Sequence, residues 1–251
     1  MSIMQTATVR SSPRVASSCD TCPLGARGEC PGGPEFQGAR LRRVSVKDVE
    51  AGADIYAGNE TPETVAILRS GWAIQYARLR DGERQILTFL IPGDVFDQDA
   101  VILPQTPSLY SFRALTDATI CHFAIDDYRS LLTADVRSRR FAKRQLRRHQ
   151  QLMAKHIISI GRRRALARVV SLLLELRQRL SEHDLVQDEA MPFPLRQEDI
   201  ADALGLTHAH VNRTLKSLRD ARIIEYDHGL MRIFSVPSLM ALAPSFIPLA
   251  A

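Results

Sequence analysis

Three cysteines open this chain's chemistry. Cys19, Cys22 and Cys30 lie in "SSCDTCPLGARGEC" with the spacing C-x2-C-x7-C, and the chain's one other cysteine, Cys121, follows about ninety residues later in "TDATICHFAI". Four thiolates are soft ligands for an iron–sulfur cluster or a zinc ion. Structural zinc usually takes two local pairs rather than three near ligands and one remote one. Unmetallated thiols are a third reading, and the spacing alone leaves all three open. A disulfide framework is not expected, because the N-terminus "MSIMQTATVRSSPRVASS" lacks the apolar run of a secretory signal. The most apolar run, "VVSLLLEL", is too short to span a bilayer and contains Glu175, so a cytoplasmic protein without membrane contact is expected.

The elements that must hold these residues change character along the chain. At 251 residues, 45% hydrophobic and 24% charged, the composition is that of a globular protein with one or two cores, needing no covalent staple. Residues 1–35 are rich in Ser, Gly, Pro and Cys without periodicity, an arm that stays ordered only if something ties it down. Residues 36–130 read as short strands broken by turn signals, among them "DIYAG", "TVAILRSGWAIQYARL", "RQILTFLIPGDVF" and "ATICHFAI", with a hairpin turn at Asp81-Gly82. This predicts a small antiparallel sandwich or barrel.

Helical periodicity follows over residues 131–164. Leu146, Met153 and Ile160 recur every seven residues with Ile157 between the last two, a narrow apolar seam that fits a two-stranded coiled coil and hence a homodimer. "RALARVVSLLLELRQRL" predicts a buried helix, and "SEHDLVQDEAMPFP" a connecting loop. Residues 165–251 form the C-terminal domain. In it, Gln197–Leu204 predicts a short helix with Ile200, Ala203 and Leu204 inward, broken at Gly205. Thr207 caps the next helix, His208–Arg219, whose inner face is Val211, Leu215 and Leu218. This is a helix-turn-helix, and "RIIEYDHGLMRIF" adds a β-hairpin wing around His228-Gly229.

The outward face of the second helix carries His208, Ala209, His210, Asn212, Arg213 and Lys216. Arg213 has the fork for guanine O6 and N7, and Asn212 the amide for adenine. With Thr207, Arg196 and Gln197 at the helix starts, these residues predict a double-stranded DNA interface. The net charge of +5 and pI of about 9.3 suit a polyanion. Much of that excess sits in "RSRRFAKRQLRRH" and "GRRRALAR", which read equally well as solvated helix faces. An enzyme is not expected: a cupin-like metal site needs paired histidines and a carboxylate, and only His122 lies in the β region.

The order of parts, an antiparallel β-roll (jelly-roll-like), a long dimerisation helix and a winged helix-turn-helix, is an α+β architecture that resembles the Crp/Fnr transcription regulators. "IADALGLTHAHVNRTLKSL" is similar to that family's DNA-binding signature, and the likeness covers roughly residues 36–240. The cysteine placement resembles the oxygen-sensing Fnr branch, its C-x7-C interval the FnrN/FixK-type variant. The resemblance implies that Cys19, Cys22, Cys30 and Cys121 hold one 4Fe–4S cluster per subunit. It also implies an oxygen-controlled dimer, a palindromic promoter site and contact with RNA polymerase. In "PGDVFDQDAVILPQTPSLYSFRAL", Gln98 and Ser108 stand where cyclic-nucleotide binders of the family carry Glu and Arg, so no cyclic nucleotide is expected. Haem is a lesser possibility, with His122 or a cysteine as its ligand. Ala209 stands where much of the family has Glu, which puts the usual half-site in doubt at one base pair.

Overall fold

The computed structural model describes residues 19, 22–30, 32–33, 43–96, 103 and 106–243. It divides into two compact units, residues 1–82 with 88–151, and residues 83–87 with 152–251.

Among the described residues before Ile125 there are eight strands: β1 (Arg43–Val49), β2 (Asp54–Tyr56), β3 (Thr64–Ser70), β4 (Ala73–Arg78), β5 (Arg84–Leu90), β6 (Val95–Phe96), β7 (Ser111–Ala114) and β8 (Ala118–Ala124), all in the first unit except the start of β5, which belongs to the second. They form two four-stranded sheets, ordered β1-β8-β3-β6 and β2-β7-β4-β5. The registered pairs are antiparallel. β8 is a central strand, with Cys121 opposite Val46 on β1 and Ile67 on β3.

Because side chains alternate along a strand, β3 and β8 serve two cores at once. Ala66, Leu68, Ala118 and Ile120 point into the core between the sheets with Phe96 and Phe112. Val65, Ile67, Cys121 and Phe123 face the other way, into a second core. β1 and β7 escape the sequence pattern: β1 buries only Val49, and β7 has four residues.

The helical run is two helices rather than one. α1 (Pro23–Ala26) belongs to the arm, and α2 (Ile125–Ala134) follows β8 directly. The chain breaks at Asp135, whose carboxylate accepts from the Ser138 amide at 2.7 Å and the Ser138 hydroxyl at 2.6 Å, starting α3 (Val136–Arg162). Arg139 donates to the Leu132 and Thr133 carbonyls at the end of α2 at 3.1 and 2.5 Å.

The second unit centres on α4 (Ala165–Glu182), which buries Val169, Val170, Leu173, Leu176 and Leu180. Around it lie α5 (Gln197–Leu204), α6 (His208–Asp220) and α7 (Val236–Leu242). A three-stranded sheet joins β9 (Ala190–Pro192), β11 (Leu230–Ile233) and β10 (Ile224–Asp227). The stretch predicted as a plain loop thus contributes β9, paired with β11 through Met191 and Met231. Among the described residues no helix is long and apolar enough to cross a membrane.

One surface pair makes the roll sensitive to acid. Arg113 donates to both Asp54 oxygens at 2.7 and 3.1 Å and holds that carboxyl below its ordinary value. A carboxyl depressed on folding stabilises the fold above its unfolded pKa of about 4, and that contribution is lost as pH falls through the folded value. Asp54 is half exposed, so the effect is small. Thermal melts from pH 7 to 2.5 are expected to show a shallower acid limb for Asp54→Asn than for the parent, and superimposable limbs would contradict the assignment.

Candidate functional sites

Three of the four cysteines are buried, and Cys19 is half-buried. Cys22 and Cys30, from the arm, share one core with Cys121 and Phe123 of β8, Val65 and Ile67 of β3, Tyr128 and Leu131 of α2, and Phe141 of α3. Local backbone bonds shape the arm. The Cys22 carbonyl accepts from the Ala26 amide at 2.9 Å, Leu24 from Glu29 at 2.8 Å, and Cys30 from Gly33 at 2.9 Å. Pro23 at the first helical position fits because its missing N–H has no partner there to lose.

The thiols sense one another. Burial pushes Cys30 up to about 12, helped by the charges of Cys19, Cys121 and Cys22 and opposed by the Gly32 amide. Burial also raises Cys121, with Arg43 and Arg69 pulling it down and Cys22 and Cys19 pushing it up. Tyr128 is raised by burial and by Cys30. The remote strand cysteine thus shares a core with Cys22 and Cys30 of the arm. Among the described residues no group of three or more His, Cys, Asp or Glu is placed so that it could hold a metal ion.

His122, next to Cys121, points to the opposite face of β8. Its Nδ1 shares hydrogen bonds with Thr64 Oγ1 at 2.9 Å and Tyr56 Oη at 3.1 Å. Burial lowers its pKa to about 4, which keeps the ring neutral in the roll's interior. Ser108 is buried and turned onto its own loop, where its hydroxyl donates to the Tyr110 carbonyl at 3.0 Å. Gln98 lies outside the described residues.

In the second unit, α5 begins where the Asp199 carboxylate accepts from the Arg196 amide at 3.1 Å. Arg84 reinforces this helix, donating to Asp202 at 2.8 Å and Asp199 at 3.0 Å. Gly205 ends α5 with φ 58°, a left-handed conformation costly for a residue with a Cβ. Thr207 Oγ1 then accepts from the His210 amide at 3.3 Å and starts α6. Ile200, Ala203, Leu204, Val211, Leu215 and Leu218 are all buried, at most 2% exposed.

The predicted reading face is open to solvent. Thr207, His208, Ala209, His210, Asn212, Arg213 and Lys216 are exposed, as is Arg196, while Gln197 is half-buried. The wing turns at His228-Gly229, both with positive φ as a tight two-residue hairpin requires. Arg219 lies over the Tyr226 ring at 5.5 Å, fixing the hairpin strand β10 against α6.

Some cations the sequence offered to phosphate or solvent have structural work. Arg168 donates to the Leu204 carbonyl at 3.0 Å, at the end of α5, and Arg163 bonds the Ser171 hydroxyl. Of the predicted seam, Leu146, Met153 and Ile160 are half-buried and Ile157 is 66% exposed.

Comparison with known proteins agrees with this geometry. Residues 46–135 match the cyclic nucleotide-binding domain family and residues 167–243 the Crp-like helix-turn-helix domain family. The nitrogen fixation regulation protein FixK of Bradyrhizobium diazoefficiens is 30% identical over 168 residues, covering 67% of this chain and 69% of that one. The transcriptional activatory protein AadR of Rhodopseudomonas palustris is 30% identical over 196 residues, covering 75% and 77%. The solved structure of FixK2 from Bradyrhizobium japonicum superposes with a TM-score of 0.71 at 26% identity, covering 81% of this chain and 98% of that one. With the roll, the helix-turn-helix and these relatives in agreement, the chain belongs to the Crp/Fnr family of DNA-binding transcription regulators, within its FixK/Fnr branch.

Proposed function

We propose that this regulator is a dimer that responds to oxygen through one 4Fe–4S cluster per subunit, held by Cys19, Cys22, Cys30 and Cys121. The observation that supports the reading is the packing of Cys22 and Cys30 of the arm into one dry core with Cys121 of β8. Cys30 and Cys121, raised chiefly by burial, stay protonated at neutral pH unless positive charge enters the site. Iron supplies that charge, and the soft donor set suits it. When bound, such a cluster supplies an oxygen-labile link between the arm and β8.

The chain's own residues do the rest. Phe123, Tyr128 and Leu131 exclude water around the sulfurs, and Phe141 extends the same core into the first turns of α3. Arm and helix thus share packing, so a docked arm supports the helix that bears Leu146, Met153, Ile157 and Ile160. Two such helices pairing through that seam would place two copies of α6 on a palindromic site. Arg213 and Asn212 read base edges, Lys216 and His208 contact phosphates, and His210, Thr207, Arg196 and Gln197 border the groove. RNA polymerase is a partner by family likeness, and the reducing cytoplasm suits the thiols. Ser108 offers no charge to a cyclic phosphate, so the roll is read as a scaffold rather than a nucleotide site.

Protein purified without air is expected to carry close to four irons and four sulfides per chain, with visible absorbance that air bleaches. Cys121→Ala should lose most of both. Zinc without sulfide would replace this reading with a zinc site. For DNA, gel-shift titrations should show Arg213→Ala losing sequence preference at a cost of about 1–3 kcal/mol. Lys216→Ala should weaken specific and random DNA alike and flatten the salt dependence. If Arg213→Ala discriminates as the parent does, the groove assignment fails. Sedimentation should find Ile157→Asp weakening the dimer by roughly 1.5–3 kcal/mol per subunit, the value of burying such a side chain. An unchanged dimer would move the interface elsewhere.

A further inference from the structure

The arm spells one tetrapeptide pattern twice: Cys22-Pro23-Leu24-Gly25 and Cys30-Pro31-Gly32-Gly33, each C-P-x-G. The two closing glycines touch. A Cβ on Gly33 would stand 2.5 Å from the Gly25 carbonyl oxygen and 2.7 Å from Gly25 Cα. A Cβ on Gly25 would stand 2.3 Å from the Cys19 carbonyl oxygen and 3.2 Å from Gly33 Cα. These are backbone atoms and cannot swing aside. Gly32 is tight in a gentler way, its absent Cβ 3.1 Å from Cys19 Sγ and 3.2 Å from the Phe123 ring.

Neither Gly25 nor Gly33 has a positive φ, so no left-handed backbone calls for glycine at either. Space, not conformation, demands glycine here. Each closing glycine sits three residues after a cysteine, and their contact also rests on the carbonyl of Cys19. One stack of bare backbone therefore joins the three short segments that carry the arm's thiols. α1 has only four residues, too few to hold a shape by itself.

We propose that the Gly25–Gly33 backbone contact, with Gly32 clearing room for Cys19, is the positioning device that aims the arm's thiols at Cys121. It deepens the cluster reading above, on which its purpose rests. The device makes the arm close as a unit, because any side chain at either glycine would wedge the two C-P-x-G turns apart.

The test uses the full chain, held without air and stripped of metal. Dibromobimane, a short bifunctional thiol reagent, is added, and the cross-linked pairs are mapped by mass spectrometry. Iron and sulfide uptake is measured in parallel. Trp72, the only tryptophan and buried in the roll, reports the roll's integrity by its emission. Gly161→Ala is the control, since nothing lies within 4 Å of the added methyl. Gly25→Ala and Gly33→Ala are expected to lose most cross-linking of Cys22 and Cys30 to Cys121, and iron uptake with it. Gly32→Ala should fall between these and the control, with Trp72 emission unchanged throughout.

Parental cross-linking in both Gly25→Ala and Gly33→Ala would overturn the proposal. So would losses that appear only together with exposure of Trp72, because the contact would then serve the roll and not the arm. If the parent takes up no iron while the cross-linking order holds, the cluster reading fails and the positioning device stands. If the parent takes up iron and the glycine variants match it, the reverse is true.

Discussion

The first unit turns on the burial of Cys22, Cys30 and Cys121 in one dry core. Burial disfavours a thiolate, and each neighbouring thiolate disfavours it further. Cys30 meets both costs, since it is 5% exposed and feels the other three cysteines. Arg43 and Arg69 offset part of this at Cys121, but no cation is among the causes that shift Cys30. In the proposed cluster reading, a positively charged inorganic core would relieve this cost, and its loss would restore it. The same electrostatics explain how a small chemical event could have a large structural consequence.

That consequence has a short path. β8 is buried on both faces, so Cys121 faces the arm while His122 and Ile120 anchor the strand in the roll. Tyr128 and Leu131 of α2 and Phe141 of α3 close the sulfur core from the helical side. α3 carries Arg and Lys along its length and no acidic residue, so in the proposed dimer two copies would repel as well as attract. An association balanced this way would need only a modest change in packing free energy to shift its population. The reading helix is built on separate principles, local caps and a buried stripe, and belongs to its own compact unit.

Sequence legibility followed the range of the interactions. The helix-turn-helix was readable because its determinants are local: a left-handed Gly205, the Thr207 cap, and inner faces spaced at three and four residues. Strands of the sandwich interior were readable from their apolar runs. β1 was missed because its outer residues are polar or exposed, and β9 because three residues carry no period. The break at Asp135 was hidden by helix formers on both sides, though Asp135 with Ser138 is a cap signal. The cysteine spacing left cluster, zinc and free thiols open and did not show that Cys121 shares a core with the arm, which depends on strand order. Nor did periodicity show that Arg168 closes α5, that Phe141 joins the sulfur core, or that Gly25 lies on Gly33. Those contacts arise only when remote segments pack.

The central claim is that one inorganic core ties the arm to the middle strand of the roll. Iron K-edge X-ray absorption on protein purified without air addresses it most directly, because it reports the atoms around each metal. The account predicts iron surrounded by sulfur alone, with further iron atoms in the next shell and the iron–iron signal lost on exposure to air. Iron bound through nitrogen or oxygen, or an iron-free protein whose four thiols all remain free, would contradict it.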